Sequence, residues 1–432
     1  MARRRVAAAI VELWGRDVGG VSWNENRGVA SFQYTPEFSR SGLQLAPLHM
    51  PLDPDRIFTF TALNRQTFRG LPGLLADALP DRFGNALIDI WLRRQGRGPA
   101  GFSPVERLCY MGTRALGALE FRPALGPRQR ASERLDVARL ADLADQVLQA
   151  RAKLRVNLKH DGTDALGAII RVGTSAGGAR AKAVIAWNPH THEVRSGQVP
   201  APPGFEHWLL KFDTAGPTAL GDPAGFGRIE FAYHLMAAAA GIDMSPCRLL
   251  EEGGRAHFMT RRFDRTAAGG KLHMQSLCAL GHYDFNAPGE YGYEQALALL
   301  QQLRLPHPDL ERLYRRMVFN VLARNQDDHT RNIALLMDPA GTWRLAPAFD
   351  VIWSFNAHGR WTNQHQMRVN GKTDGFTRAD LLAVAQPFAL KSARHILAEV
   401  RAAVARWPAF AAQAGVPRAE AHALAKTHRL AL

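Results

Sequence analysis

Residues 325–332 read Asn-Gln-Asp-Asp-His-Thr-Arg-Asn, and six of the eight side chains could bind a metal, accept a proton or contact phosphate. Asp327 and Asn332 stand five apart. That pair suits phosphoryl transfer: an aspartate orients or deprotonates an attacking hydroxyl, and an asparagine supplies a neutral oxygen to Mg²⁺. Asp328 offers a second carboxylate that could swap roles with Asp327. The stretch also fits a polar turn at a helix end. A further acid, Asp350, follows an apolar stretch in Leu345-Ala346-Pro347-Ala348-Phe349-Asp350-Val351. One carboxylate, one asparagine and phosphate oxygens suffice for Mg²⁺, which keeps several waters. Asp350 could equally cap a following helix.

Cations and glycines come earlier in the chain. Lys211 ends the apolar run Trp208-Leu209-Leu210-Lys211-Phe212. Such a lysine snorkels to solvent or holds α/β phosphates; in protein kinases it pairs with a helix glutamate. Glu230 lies 19 residues later, near the start of an Ala-rich helix, where it also suits the helix dipole. Gly173 to Lys182 (GTSAGGARAK) lies between two apolar runs. Glycines let backbone N–H groups approach phosphate, although a flexible hairpin turn reads the same. The Walker pattern is not met. These signals follow protein-kinase order, with Asp327 and Asn332 spaced as in the kinase catalytic loop and Asp350 placed like the metal-binding aspartate.

The elements that must position these groups are legible as periodicities. Val6 to Leu13 and Val29 to Tyr34 read as strands, the second with Ala30, Phe32 and Tyr34 on one face. Phe83, Leu87, Ile90 and Trp91 mark a helix after Pro80-Asp81, and residues 124–150 read as helical. From 167 the pattern predicts strand, Gly-rich turn, strand, then loop from Pro189 to Pro203. His207 to Phe212 is a strand, Gly227 to Gly241 a helix, and Arg248–Glu252 with His257–Phe263 a hairpin. Beyond 265 the chain is mostly helical. An apolar stripe of Leu310, Leu313, Met317 and Val321 runs over 308–324, and two or three helices fill 377–432 with Pro408 as a break. Boundaries are placed to give 1–150, 151–265 and 266–432.

The 432 residues are 46% hydrophobic and 22% charged, ordinary globular composition that argues against disorder. The net charge of +15 favours an anionic partner such as nucleic acid, nucleotide or an acidic protein surface. Cys109, Cys247 and Cys278 lie far apart, so neither a disulfide framework nor a cysteine zinc site is expected. His190 and His192 form an isolated pair without a third ligand. The start is not expected to be a signal peptide, because Glu12 and Arg16 interrupt it. No membrane span is expected, and a reducing cytoplasm is the simplest compartment.

Two further segments carry a family resemblance. Gly73 to Gly84 (GLLADALPDRFG) is similar to a "DSLPDGWG" type motif, and Tyr110 to Phe121 (YMGTRALGALEF) to a "GxRGMGALEF" segment. With the Ser175–Lys182 loop, the Lys211 strand, Arg262-Phe263-Asp264-Arg265, the Asp-x-His-x-x-Asn loop and Phe349-Asp350, the chain resembles the HipA family of serine/threonine kinase toxins along nearly its whole length. The resemblance implies an α+β, two-lobed protein-kinase-like fold, a small β-rich lobe and a larger helical one, with an amino-terminal α+β subdomain. It implies that Gly177, Gly178, Ala179, Arg180, Ala181 and Lys182 contact ATP phosphates, and that Lys211 holds the α-phosphate with Glu230 as its partner. Arg261, Arg262 and Phe263 would meet adenine through their backbone. Asp327 would be catalytic, and His329, Thr330, Arg331 and Asn332 would lie along the nucleotide. Asn332 and Asp350 would bind Mg²⁺, with Phe349 beside them, and Ser175 would be the autophosphorylated loop serine. Arg180 and Ala181 stand where the best-known member has Gln and Glu, and Asp328 where Gly is usual.

The implied partners are a HipB-like helix-turn-helix antitoxin, operator DNA through that complex, and a cytosolic protein of the translation machinery such as an aminoacyl-tRNA synthetase. Two other readings remain at this level. One is a DNA-binding co-repressor with a vestigial kinase site, against which the intact Lys211, Asp327, Asn332 and Asp350 argue. The other is a small-molecule kinase, against which the amino-terminal segment argues.

Overall fold

In the computed structural model the chain divides into two compact units. One comprises Met1–Gly216, Leu250–Gln275 and Asp338–Gly341, the other Pro217–Leu249, Ser276–Met337 and Thr342–Leu432. The structure describes residues 6–80, 82–98, 101–126, 132–153, 167, 169, 170, 172, 173, 180–213, 225–266 and 268–432, with the backbone alone at 82 and 148–153.

The first unit holds two sheets. β1 (Ala8–Leu13), β2 (Arg16–Asn24), β3 (Val29–Tyr34) and β4 (Leu119–Arg122) form an antiparallel sheet in the order β3-β2-β1-β4. The alternation in β3 is what the sequence leads one to expect: Ala30, Phe32 and Tyr34 are buried. Helix Pro104–Met111 beside it starts with a capping box, in which Ser103 and Glu106 each accept the other's backbone N–H at 3.1 Å. The second sheet has the order β6-β5-β7-β9-β8, with β5 (Lys182–Trp187), β6 (Val194–Ser196), β7 (Glu206–Lys211), β8 (Cys247–Glu252) and β9 (Arg255–Arg261). Its inner face, including Ala183, Ile185, Trp208, Leu210 and Met259, shares one apolar core with Phe83 and Leu87 of helix Arg82–Arg94 and with Leu140 and Ala144 of helix Val137–Lys153. β10 (His273–Ser276) closes that segment of chain.

The second unit is mainly helical. Helices Phe226–Ala239, Tyr293–Gln302 and His307–Leu322 are joined by an antiparallel pair, β11 (Ala334–Met337) and β12 (Trp343–Leu345), in which Leu335 faces Leu345. Leu310, Leu313, Met317 and Val321 are all buried, so the apolar stripe is the inner face of helix His307–Leu322.

Several local expectations are corrected. The apolar run before the Gly-rich stretch is helical at 167, 169, 170 and 172, not a strand, and the Gly173 N–H donates to Ile169 O at 2.8 Å. Short apolar runs fit both periods, so tertiary packing decided. Strand β6 lies inside the expected 189–203 loop. The helix expected over 124–150 begins only at Val137. Four helices, Arg378–Ala385, Ala393–Ala405, Trp407–Gln413 and Arg418–Ala425, occupy 377–432. Pro408 sits in the first turn of the third, where its missing N–H costs nothing. No helix among the described residues is long and apolar enough to cross a membrane.

Candidate active site

Helix His307–Leu322 delivers the chain to the loop 325–332, where the adjacent aspartates part company. The Asp328 carboxylate is fully buried. Tyr293 Oη and His365 Nδ1 donate to its Oδ2, each at 2.9 Å, and the Gln366 N–H donates to Oδ1 at 2.8 Å. The bond from His365 places the ring proton on Nδ1. Three donors offset the desolvation of a buried carboxylate. Asp327 is different: its side chain is 44% exposed, and His329 Nε2 stands 3.9 Å from Oδ1. The two neighbours therefore differ in surroundings: Asp328 anchors the loop, and Asp327 keeps a carboxylate open to solvent.

Asn332 closes the loop on itself. Its Nδ2 donates to Asp327 O at 2.8 Å, and its N–H donates to His329 O at 2.9 Å. With the amide nitrogen committed to backbone, Oδ1 is the atom available to a ligand. Asn332, Asp328, Phe349 and Asp350 line one small cleft with Tyr293, Asn320, Asn325 and Arg316. Asp350 has φ 51°, in the left-handed region. Aspartate enters that region more readily than most residues, at a cost of about 1–2 kcal/mol. One amide oxygen and one carboxylate lining one cleft are donors that suit a hard cation whose remaining ligands are phosphate and water. Among the described residues, no three His, Cys, Asp or Glu side chains form a metal cage.

Thr330 Oγ1 donates to Tyr283 O at 2.9 Å, Arg331 lies 5.5 Å from the Phe285 ring centre, and His329 lies 5.3 Å from the same ring. At the other end of the loop, the Gln326 N–H donates to Ser354 O at 3.1 Å and the Ser354 N–H to Arg324 O at 3.0 Å. Thr427 clamps both strands of this contact. Its carbonyl accepts from Arg324 Nε at 2.9 Å, and its hydroxyl from Trp353 Nε1 at 3.0 Å.

The polar groups that hold these segments were not singled out from the sequence. Asp309, Arg316 and Asn320 lie on one face of helix His307–Leu322. Asp309 Oδ2 accepts the Leu345 N–H at 3.1 Å, and Arg316 Nη2 donates to Ala346 O. Asn320 Nδ2 donates to Tyr293 Oη, and Asn325 Nδ2 donates to Asn320 Oδ1, both at 2.9 Å. Their spacings of seven and four are a helical signal, available in the sequence beside the apolar stripe. Tyr293 and His365 lie 35 and 37 residues from Asp328, with no local pattern to mark them.

In the first unit, Lys182 and Lys211 are direct cross-strand partners of β5 and β7. They are 2% and 7% exposed, so Lys211 does not snorkel to solvent; its Nζ lies 5.6 Å from the Phe258 ring centre. The Phe212 N–H donates to Ala181 O at 3.0 Å, and Arg180 is half-buried. Ser175, Gly177, Gly178 and Ala179 lie outside the described residues. Glu230, in the second unit, is 1% exposed on helix Phe226–Ala239.

The Arg261–Phe263 segment ends β9. The Arg262 N–H donates to His207 O at 2.9 Å, so that amide is committed to the sheet, and Phe263 is half-buried. The Arg262 guanidinium grips Asp264 through two bonds of 2.9 and 2.6 Å. Arg265 Nη1 and the Gly117 N–H add bonds of 2.9 and 2.8 Å. Burial alone would raise the Asp264 pKa, but Arg262, Arg265 and the Gly117 amide hold it well below the usual carboxylate range. Gly117 belongs to the Tyr110–Phe121 segment, so one buried carboxylate joins two of the motifs that carry the resemblance. Cys109, Cys247 and Cys278 are buried, and His190 and His192 are exposed.

The class of fold follows from comparison with solved structures. HipA of the Shewanella oneidensis MR-1 toxin–antitoxin system, solved with HipB and its operator DNA, superposes with a TM-score of 0.66 at 18% identity, covering 98% of this chain and 96% of that one. The Helicobacter pylori proinflammatory kinase CtkA is a fainter likeness, with TM-score 0.32 and 11% identity over 51% of this chain and 92% of that one. The chain has the α+β fold of that HipA. Residues 174–407 match the HipA-like C-terminal domain and residues 9–122 the HipA N-terminal domain. The chain belongs to the HipA family. It is also 29% identical over 126 residues to the kinase candidate Y4mE of Sinorhizobium fredii, an alignment covering 27% of this chain and 30% of that protein.

Proposed function

We propose that this protein is an ATP-dependent serine/threonine kinase and the toxin of a toxin–antitoxin pair. The observation that carries the reading is the loop itself: Asn332 Nδ2 donates a 2.8 Å hydrogen bond to the Asp327 carbonyl, and Asn332 lines the same cleft as Asp350. In this reading Asn332 and Asp350 hold Mg²⁺, which would neutralise charge on the phosphate oxygens. Asp327 orients the substrate hydroxyl and accepts its proton. The buried Lys211 and Lys182 offer the first unit's cations to phosphate. Arg261–Phe263 serve adenine through backbone groups, Glu230 supports Lys211, and His329, Thr330 and Arg331 flank the nucleotide.

The partners proposed are a HipB-like antitoxin and, through it, operator DNA, as in the solved Shewanella complex. The substrate proposed is a cytoplasmic protein of the translation machinery. Ser175 is proposed to be autophosphorylated: intact mass should show one added phosphate that Ser175→Ala lacks, and active wild type with no such mass after prolonged ATP exposure contradicts this.

The test is γ-phosphate incorporation from ATP-Mg²⁺ into the protein and into cell lysate, wild type beside Asp327→Ala. Label that vanishes in the variant supports the kinase, and the labelled lysate band names its target. ATP bound without any labelling by wild type refutes the protein-kinase reading and points to a co-repressor or a small-molecule acceptor.

A further inference from the structure

The segment Leu345–Asp350 is pinned from four directions before it reaches a strained residue. The Leu345 N–H donates to Asp309 Oδ2 at 3.1 Å. The Ala346 N–H donates to Ala334 O at 2.9 Å, and the Ala346 carbonyl accepts from Arg316 Nη2. The Ala348 N–H donates to Asp243 O at 2.8 Å. Two residues on, Asp350 stands in the left-handed region. A non-glycine residue persists there only when its surroundings over-determine the backbone.

Arg316 is the unusual member of this set. It is 6% exposed, in the middle of helix His307–Leu322, and lines the same cleft as Asn332 and Asp350. Its Nε and Nη1 find no hydrogen-bond acceptor among the described residues. Burial pulls its pKa down to about 10, and Asp243 and Asp309 oppose that shift. A buried guanidinium with unused donors is costly, and a leucine would fill an inner helix position more cheaply. Its one hydrogen bond among the described residues goes to Ala346, four residues before Asp350.

We propose that Arg316 is a positioning residue: it fixes the Leu345–Asp350 segment on helix His307–Leu322 and so sets where the Asp350 carboxylate stands. Asp309, seven residues earlier on the same face, holds the segment's other end and is paired with Arg312 at 2.9 Å. The consequence for metal use rests on the kinase reading above; the pinning itself does not.

The experiment is amide hydrogen exchange on the full chain for wild type, Arg316→Met and Arg316→Lys, without nucleotide or metal. In Arg316→Met the amides of 345–350 should exchange about 10-fold faster or more, while those of helix 307–322 keep wild-type protection; Arg316→Lys should fall between. Wild-type protection over 345–350 in Arg316→Met overturns the proposal. So does loss spread evenly over helix 307–322, since Arg316 is then only a packing element. Should Arg316→Met fail to fold, Arg316→Lys and Asp309→Asn carry the same comparison. A second readout separates positioning from bulk: the Mg²⁺ concentration for half-maximal phosphate transfer should rise in Arg316→Lys, with the KM for ATP unchanged at saturating Mg²⁺. Absence of transfer in wild type would sink the kinase reading and leave the exchange result to decide the pinning.

Discussion

The two lysines of the first unit are buried, as is Asp328 of the second, while Asn332 and Asp350 are half-buried, and the two sets are held by different means. Lys182 and Lys211 are set by strand register: pairing β5 with β7 places them opposite each other without help from distant residues. Asp328 and the segment that carries Asp350 are held by side chains that reach across tens of residues, from Tyr293, His365, Asp309 and Arg316, while Asn332 bonds within its own loop. A ladder tolerates the loss of one side chain, because its neighbours keep the register. A network of single donors does not, because every removal leaves a buried group unpaired. Substitutions should therefore cost activity in the first region and stability in the second.

The sharpest break lies between neighbours. Asp327→Ala should lower phosphate transfer by about 10²–10⁴-fold and leave the melting temperature close to wild type. Asp328→Ala should instead cost about 3–5 kcal/mol of stability, since Tyr293, His365 and the Gln366 amide lose their buried acceptor. Chemical denaturation of both variants beside a transfer assay decides this, and a stable Asp328→Ala would erase the distinction drawn between the two aspartates.

Next in size is Lys211→Met. A charge-assisted bond of about 1.5–3 kcal/mol corresponds to roughly 10- to 150-fold in ATP affinity. Binding of ATP by calorimetry should show that loss with the fold intact. Unchanged affinity would mean that the lysine pair is not a phosphate site.

The first region also carries an acid sensitivity. His257, wholly buried, accepts the Asp213 N–H on Nδ1 at 2.9 Å. Burial first, then Arg255, lowers its pKa to about 4. A histidine depressed in this way is neutral when folded and protonates more readily when unfolded. Its contribution is present above about pH 6.5 and is lost as pH falls toward 4, at up to about 1.4 kcal/mol per pH unit. Thermal melts should fall from pH 7.5 to pH 5, and less steeply in His257→Gln; equal slopes would remove His257 from the account. The smallest effect is Tyr293→Phe, about 1 kcal/mol, since Asp328 keeps two of its three donors.

This contrast explains what the sequence could disclose. The lysine strand and the Asp327–Asn332 spacing are local, so period and motif reveal them. The buried stripe Leu310, Leu313, Met317 and Val321 is equally local. The polar face Asp309, Arg316 and Asn320 had the same helical spacing but was masked by the apolar stripe beside it. Tyr293 and His365 left no trace, because a contact made across 35 or 37 residues has no local period. Residues 167, 169, 170 and 172 are helical where the sequence suggests a strand, because a short apolar run carries no decisive period.

The clamp at Thr427 has a consequence in time. It holds Arg324 from 103 residues further along the chain. At synthesis rates of about 5–20 residues per second, roughly 5–20 s separate the appearance of the 325–332 loop from that of the residue that braces it. A nascent chain therefore carries the loop unbraced while it is still on the ribosome. The finished geometry comes into being only after the residues around Thr427 have emerged and folded back.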